Sequence, residues 1–158
     1  MVPAGHDDNF LGGYLPYLLR RADQALSSAF YAVLKRYGVA RSEWRVLAVL
    51  QDVGDLSILD LTVASLSPQP TVTHAVRRLE ERGLVARTLG ADDRRQRIVS
   101  ITTTGAELTA ILIEEAKQLE AEALAEAGDL SDLMAKLTEL TEIVETNVGN
   151  RADRARVG

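Results

Sequence analysis

Residues 67–105 constrain the fold more than any other stretch, because their apolar pattern changes from helical to extended and back to helical. The first part predicts a helix over about 68–82. Four apolar residues recur there at the three- and four-residue spacing of a buried helix face, namely Val72, Ala75, Val76 and Leu79. Ser67 is a favourable N-cap, Pro68 suits the first helical position, and Gly83 ends the helix.

Two short apolar runs after this helix predict a pair of antiparallel strands. The runs are 84–88 and 97–101, and the polar segment between them contains Gly90, as a hairpin loop would. Thr102 or Thr103 then caps a further helix. With two shorter helices before it, a helix followed by a two-stranded wing is the outline of a winged helix-turn-helix.

The rest of the chain is predicted to be helical. Apolar residues at helical spacing indicate helices over about 10–37, from Ser42 to Gly54, from Ser57 to Ser65, over 103–127 and over 130–148. The fold class is therefore mainly α with a small two-stranded β-wing. We expect a winged helix-turn-helix lobe over 38–102, with its wing at about 84–101. Residues 1–9 and 149–158 are expected to be flexible tails.

The helices at the two ends of the chain, 10–37 and 103–148, are not needed to complete a winged helix-turn-helix. Both carry apolar stripes that need a surface to bury against. The same helices of a second copy are the most economical partner, so we predict a two-fold homodimer built on these two regions. A monomer in which they pack on their own core is the alternative.

Charge is distributed unevenly along the chain, whose net charge is −5. Residues 69–97 hold seven arginines against four acidic residues, whereas residues 103–149 hold two lysines against eleven acidic residues. A basic patch beside an acidic body is typical of a DNA-binding module. The alternative is that these charges only solvate the helices.

The exposed face of the predicted 68–82 helix has the side chains that DNA recognition needs. In a helix-turn-helix this second helix enters the major groove. Gln and His hydrogen-bond to bases, Thr contacts bases or phosphate, and Arg pairs with guanine or phosphate. We therefore predict that double-stranded DNA is bound by Gln69, Thr71, Thr73, His74, Arg77 and Arg78. An ordinary solvent-exposed face is the alternative.

The loop of the wing carries both signs of charge. Arg94 and Arg95 are predicted to insert into a minor groove, whose negative potential attracts guanidinium groups. A neighbouring aspartate, Asp93 in one register, then holds an arginine in place by a bidentate pair. Asp92 and Asp93 together are a weak candidate metal site because they lack a third ligand.

Several classes of function are excluded by what the sequence lacks. It has no cysteine and two histidines, and no phosphate-binding loop, dinucleotide fingerprint or nucleophile elbow. We therefore predict no enzymatic activity, no metal and no cofactor. Without a signal peptide or an apolar run of membrane-spanning length, we expect no membrane association and a cytoplasmic location. A winged helix that binds another protein is the alternative function.

A family resemblance rests on short motifs that follow one another in a fixed order. They are Ser42-Glu43-Trp44-Arg45-Val46-Leu47, Ser67-Pro68-Gln69-Pro70-Thr71-Val72-Thr73, Leu79-Glu80-Glu81-Arg82-Gly83-Leu84-Val85, Asp92-Asp93-Arg94-Arg95 and Ile101-Thr102-Thr103-Thr104-Gly105. Over about residues 10–148 the chain resembles the MarR family of bacterial and archaeal transcription regulators. The resemblance implies a triangular homodimer, dimerised through the terminal helices, that binds a pseudo-palindrome. Because a protein bound at a promoter excludes polymerase, repression is the default expectation.

The resemblance also implies roles for particular residues. The family's Asp-x-Arg wing pair matches Asp93 and Arg95, with Asp92 and Arg94 as the alternative register. Its recognition-helix contacts map to Thr71, Thr73, His74 and Arg77, where His74 replaces a frequent Arg or Asn. Many relatives respond to phenolic or anionic ligands bound between the dimerisation helices and the DNA-binding lobe. A small-molecule effector is thus a possible partner, and its candidate lining residues are Tyr14, Tyr17, Arg20 and Trp44, for which core or interface packing is the alternative.

Overall fold

The computed structural model describes residues 10–90 and 96–157, with side chains described up to Gly149. The helices and strands, in chain order, are α1 (Phe10–Gly13), α2 (Leu15–Arg36), α3 (Arg41–Val53), β1 (Leu56–Ser57), α4 (Ile58–Ala64), α5 (Gln69–Glu81), β2 (Val85–Leu89), β3 (Arg97–Ile101), α6 (Thr103–Ala123) and α7 (Ser131–Val157). The mainly α winged-helix fold is confirmed. The chain divides into two compact units, one ending at Ala121 and the other beginning at Glu122.

The core of the first unit lies under α5. The apolar stripe of this helix is buried as predicted, with Val72, Ala75, Val76 and Leu79 each at most 1% exposed. It packs in one cluster with apolar residues of the surrounding elements, among them Leu47 and Leu50 of α3, Leu61 of α4, Val99 of β3 and Leu112 of α6. Burying a side chain of this size contributes about 1.5–3 kcal/mol, so this cluster fixes which face of α5 points outward.

The wing is part of a three-stranded antiparallel sheet with the strand order β1-β3-β2. β2 and β3 pair from Val85 opposite Ile101 to Leu89 opposite Arg97. β1, which pairs Leu56 with Val99, is not predicted by the sequence, because two residues are too few to show an alternating pattern. The tip of the wing, residues 91–95, lies outside the described residues.

Two of the predicted helix caps are wrong, whereas a third is confirmed. Ser57 caps α4, since its Oγ accepts a hydrogen bond from the Asp60 N–H at 3.1 Å. Ser42 instead lies inside α3, which begins after Ala40. The Glu43 carboxylate accepts the Ala40 N–H at 2.9 Å, which is the contact that the third helical residue makes in a capping box, and the alanine at the N-cap has no hydroxyl to complete the box. Ser67 lies one residue before the N-cap of α5, Pro68.

The open choice between two threonine caps for α6 is settled in favour of Thr102. Its Oγ1 donates to the Gly83 carbonyl at 2.7 Å and accepts the Gly105 N–H at 3.0 Å. A Cβ added at Gly105 would lie 2.0 Å from the Leu84 carbonyl oxygen, so this position admits only glycine without a shift of backbone. The junction holds the start of α6 against the turn that follows α5.

The terminal helices differ from their predicted limits. The first breaks at Tyr14 into α1 and α2, and Pro16 lies in the first turn of α2, as its missing N–H requires. α6 ends at Ala123 rather than near 127. α7 continues past the predicted end at 148 to Val157, so the backbone of 149–157 is helical rather than a frayed tail.

Candidate nucleic-acid interface

The outer face of α5 brings together most of the residues predicted to bind DNA. Gln69, Thr71, Thr73, His74 and Arg77 are all exposed, on the side opposite the buried stripe. A shallow depression of about 450 Å³ is lined by Gln69, Pro70, Thr73, His74 and Arg77. Because the buried stripe sets the rotation of α5, these donors and acceptors are presented to solvent as one surface, which we call the contact face.

Arg77 is weakly engaged by its neighbours on this face. Its Nη2 lies 3.3 Å from His74 Nδ1, and its Nε lies 3.8 Å from the Glu81 carboxylate. The side chains of Arg77 and Glu81 are 60% and 66% exposed, and an ion pair in water contributes at most about 1 kcal/mol. Arg77 can therefore exchange these partners for a phosphate or a base at little cost.

Arg78, also predicted to bind DNA, has a different environment. Its Nε lies 2.9 Å from Oε1 of Glu43, whose side chain is only 1% exposed. Arg82 reaches the other oxygen of the same carboxylate at 3.3 Å and donates to the Gly38 carbonyl at 2.9 Å. Glu43, Arg78 and Arg82, which we call the Glu43 cluster, join the N-terminal turn of α3 to the C-terminal half of α5.

The Glu43 cluster is not among the features predicted above, although the sequence contains one signal of it. Glu43 precedes Val46, Leu47 and Leu50 by three, four and seven residues, and all of these are buried on α3. A carboxylate on the apolar stripe of a helix must find partners, because burying an unpaired charge is very costly. That position alone indicates two nearby cations or N–H donors.

The wing is tied to α5 by a second ion pair. Arg87 of β2 donates from its Nε to a carboxylate oxygen of Glu80 at 2.8 Å. The hydrogen bond from Arg87 lowers the pKa of Glu80, and in return the Glu80 carboxylate raises the pKa of Arg87. Arg97, at the start of β3, is exposed. Asp93, Arg94 and Arg95, the predicted contacts of the wing, lie outside the described residues.

The residues predicted to line an effector site are divided between several places. Arg20 lines a cleft of about 770 Å³ between α2 and α3, whose lining is Leu19, Arg20, Asp23, Gln24, Ser28, Tyr31, Arg41 and Arg45. Trp44 lines a smaller cavity of about 280 Å³ formed by α2, α3 and α6. Tyr14 stacks on Phe10 with ring centroids 4.7 Å apart, and neither cavity is lined by Tyr14 or Tyr17.

The larger cleft, which we call the arginine cleft, is suited to an aromatic anion. Arg20, Arg41 and Arg45 supply three positive charges against the single carboxylate of Asp23. The Arg41 guanidinium lies 3.6 Å from the centroid of the Tyr31 ring, a cation–π contact that holds it in place. Arginine forks pair with carboxylates in bidentate geometry.

The described residues contain neither a metal-binding cluster nor a membrane-spanning helix. Within 10–90 and 96–157, His, Cys, Asp and Glu form no group of three or more that could hold a metal ion. In the same ranges, no helix is long and apolar enough to cross a membrane.

A helix-turn-helix with a polar outer face on its second helix and a β-wing beside it defines a winged-helix transcription regulator, and comparison with known proteins specifies the family. The MarR family model matches residues 37–96. The homoprotocatechuate degradative operon repressor of Escherichia coli is 31% identical over 116 residues, which cover 71% of this chain and 78% of the repressor. The chain belongs to the MarR family.

Solved structures agree with this assignment. A MarR family transcriptional regulator from Silicibacter pomeroyi DSS-3 is 32% identical and superposes with a TM-score of 0.73, covering 85% of this chain and 99% of that one. BpsR of Bordetella bronchiseptica is 26% identical with a TM-score of 0.71, covering 86% of this chain and 96% of that one. The BpsR structure concerns the mechanism by which 6-hydroxynicotinic acid regulates DNA binding by BpsR.

Proposed function

We propose that this protein is a homodimeric repressor that binds a pseudo-palindromic operator through α5 and the wing, and that a small aromatic acid releases it. The observation that carries the proposal is the contact face. Polar side chains suited to reading bases lie on the exposed side of α5, and the contacts of Arg77 with His74 and Glu81 are weak surface contacts.

The proposed contacts divide by chemistry. Arg77 neutralises a phosphate or pairs with guanine, while Gln69, Thr71, Thr73 and His74 read base edges. At the wing, Arg94 and Arg95 enter the minor groove, and an aspartate, Asp93 or Asp92 according to register, orients one of them.

The homodimer is proposed on the terminal helices. α2 exposes Leu15, Leu18, Leu19 and Leu26, and α7 separately exposes Leu133, Met134, Leu137, Ile143, Val144 and Val148. Rows of exposed large apolar side chains on one helix are typical of protein–protein interfaces. In a two-fold dimer the recognition helices lie roughly 34–36 Å apart, one turn of B-DNA, and so meet successive major grooves.

The effector is proposed to be a hydroxylated aromatic carboxylate bound in the arginine cleft. Two relatives support this class, since one responds to 6-hydroxynicotinic acid and the other represses an operon for homoprotocatechuate degradation. The cleft offers arginine forks for the carboxylate and Tyr31 beside them for the ring. To release DNA, the acid must bind the free state more tightly than the DNA-bound state.

Selection of genomic DNA fragments by the purified protein at two salt concentrations tests the DNA-binding part. We expect an enriched palindrome with half-sites one helical turn apart, and weaker binding at the higher salt because phosphate contacts release counterions. Arg77→Ala should weaken binding. Arg36→Ala is a matched control, because Arg36 also pairs with an acidic residue, Glu115 at 3.5 Å, but lies on α2 rather than on α5. No enrichment at either salt would favour a winged helix that binds protein instead.

Titration of the protein–operator complex with 6-hydroxynicotinate and 4-hydroxyphenylacetate tests the effector. Release of DNA by either acid, and its loss in Arg45→Ala, would support the arginine cleft. If Arg45→Ala responds like the wild type while Trp44→Ala does not, the neighbouring cavity is the effector site.

A further inference from the structure

The Glu43 cluster lies at the base of the contact face, and its position on α5 suggests a role that differs from that of its neighbours. Arg78 and Arg82 are four residues apart, so they lie on the same side of the helix. Both reach back to one buried carboxylate on α3. The contact face begins at the next residue toward the N-terminus, Arg77.

We propose that Glu43 is a positioning residue for DNA recognition, which acts through Arg78 and Arg82 to set the rotation and height of α5. Arg78 is then an anchor rather than a phosphate contact. The inference rests on the proposed DNA binding by α5, and it goes further because it assigns opposite tasks to the adjacent residues Arg77 and Arg78.

The burial of Glu43 supports this assignment. Its oxygens take the Ala40 N–H at 2.9 Å, Arg82 at 3.3 Å and Arg78 at 2.9 Å. Among the described residues, no donor reaches Oε1 with good hydrogen-bond geometry, so this oxygen is stabilised mainly by the charge of Arg78 beside it. If Arg78 turned away to a phosphate, the buried carboxylate would keep the charge of Arg82 but lose that of Arg78, which is costly in a dry site.

The position of the cluster explains why the anchor matters for recognition. Arg82 also donates to the Gly38 carbonyl at 2.9 Å, so the end of α5 is tied both to α3 and to the turn before it. The apolar stripe alone permits small rotations and translations, since apolar contacts have no direction. Base contacts need groups held to within about 0.5 Å, and the directed hydrogen bonds of Arg82, together with the short charge contact of Arg78, supply that precision.

The test compares Glu43→Gln, Arg78→Gln and Arg77→Ala in operator binding over a range of salt. Gln keeps the shape of Glu43 and an oxygen for the Ala40 N–H but removes the charge that holds the arginines. Glu43→Gln and Arg78→Gln should each raise Kd by about tenfold, a size typical of coupled polar networks. Neither should change the slope of log K against log salt. Arg77→Ala should reduce the magnitude of that slope by about one, the amount expected for the loss of one phosphate contact.

The double variant Glu43→Gln/Arg78→Gln separates positioning from a general loss of stability. If Glu43 acts through Arg78, the double variant binds as the weaker single variant does, because the second change removes nothing further. Stoichiometric titration gives the active fraction, so unfolded protein is not counted as weak binding.

Three results would overturn the proposal. One is a salt slope for Arg78→Gln that falls as it does for Arg77→Ala, which would make Arg78 a phosphate contact. Another is wild-type affinity in Glu43→Gln, and the third is a double variant whose losses simply add. If the wild type itself selects no DNA, the proposed function fails and the positioning role fails with it. If the wild type selects an operator and Arg77→Ala reduces the salt slope as expected, any of the three results above contradicts only the role of Glu43.

Discussion

Arg77 and Arg78 are adjacent on α5, and comparison of the two sides of the helix that they occupy shows how differently one residue type is used. On the outer side, Arg77 touches His74 and the exposed Glu81, and all of these contacts are open to water. On the inner side, Arg78 and Arg82 share the buried carboxylate of Glu43. The outer arginine is free to meet a ligand, whereas the inner pair is committed to the fold.

The comparison teaches that the environment of the counter-ion decides what an arginine does. An ion pair in which both side chains are exposed readily gives up its partner for water or phosphate. An ion pair with one buried side chain resists this exchange, because the charge left behind stays in a dry site. A step of one residue along the helix is enough to separate the two cases, because successive residues are rotated by about 100° around the helix axis.

The largest effect is expected where the inner side meets the core. Leu79→Ala removes a fully buried side chain from the stripe of α5 and should lower the free energy of unfolding by about 2–5 kcal/mol. Thr73→Ala, on the outer side of the same helix, should change it by less than about 0.5 kcal/mol. Urea denaturation of both variants measures the difference, and similar losses would contradict the assignment of sides.

A smaller effect is expected at the support beneath α5. Gly105→Ala would place a Cβ 2.0 Å from the Leu84 carbonyl oxygen and should cost about 1–3 kcal/mol as the backbone moves apart. Gly149→Ala on α7 meets nothing within 4 Å and should stabilise its helix by up to about 1 kcal/mol. Thermal unfolding of the pair checks this, and an unchanged Tm for Gly105→Ala would show that the junction yields easily.

The outer side is tested by affinity rather than by stability. Thr73→Ala and His74→Ala should each raise Kd for the selected operator by about tenfold, which is about 1.4 kcal/mol and lies within the range of about 1–3 kcal/mol for a good base contact. Neither change should alter the free energy of unfolding appreciably. Competition against altered operators identifies the base pair each side chain reads. Equal losses on operator and random DNA would instead assign these residues to phosphate.

The smallest effect concerns the ion pair of Glu80 and Arg87, which joins α5 to the wing. The pKa of Glu80 lies below its ordinary value of 4.5, so the pair stabilises the folded protein above that pH and the contribution is lost as pH falls through the folded pKa. Both side chains are 34% exposed, so the contribution is at most about 1 kcal/mol. Glu80→Gln should be less stable than the wild type near neutral pH, and the two should converge in acid.

Much of this arrangement could be predicted from the sequence. The stripe of Val72, Ala75, Val76 and Leu79 predicted which face of α5 is buried, and therefore which residues are exposed. The wing strands were predicted to within a residue, because β-branched runs flanked by turn residues are a strong local signal. The caps predicted at Ser42 and Ser67 are wrong, because α3 begins after Ala40 and the N-cap of α5 is Pro68, one residue later than expected.

The sequence by itself determined the main helices, the two strands of the wing, the sides of α5 and the family, because these depend on periodicity and on residues close together in the chain. Only the tertiary structure decided which arginines are free. Glu43 and Arg78 are far apart in sequence, and whether a cation finds a buried carboxylate depends on how α3 crosses α5. Such pairing energies depend on distance and burial, and local sequence patterns specify neither.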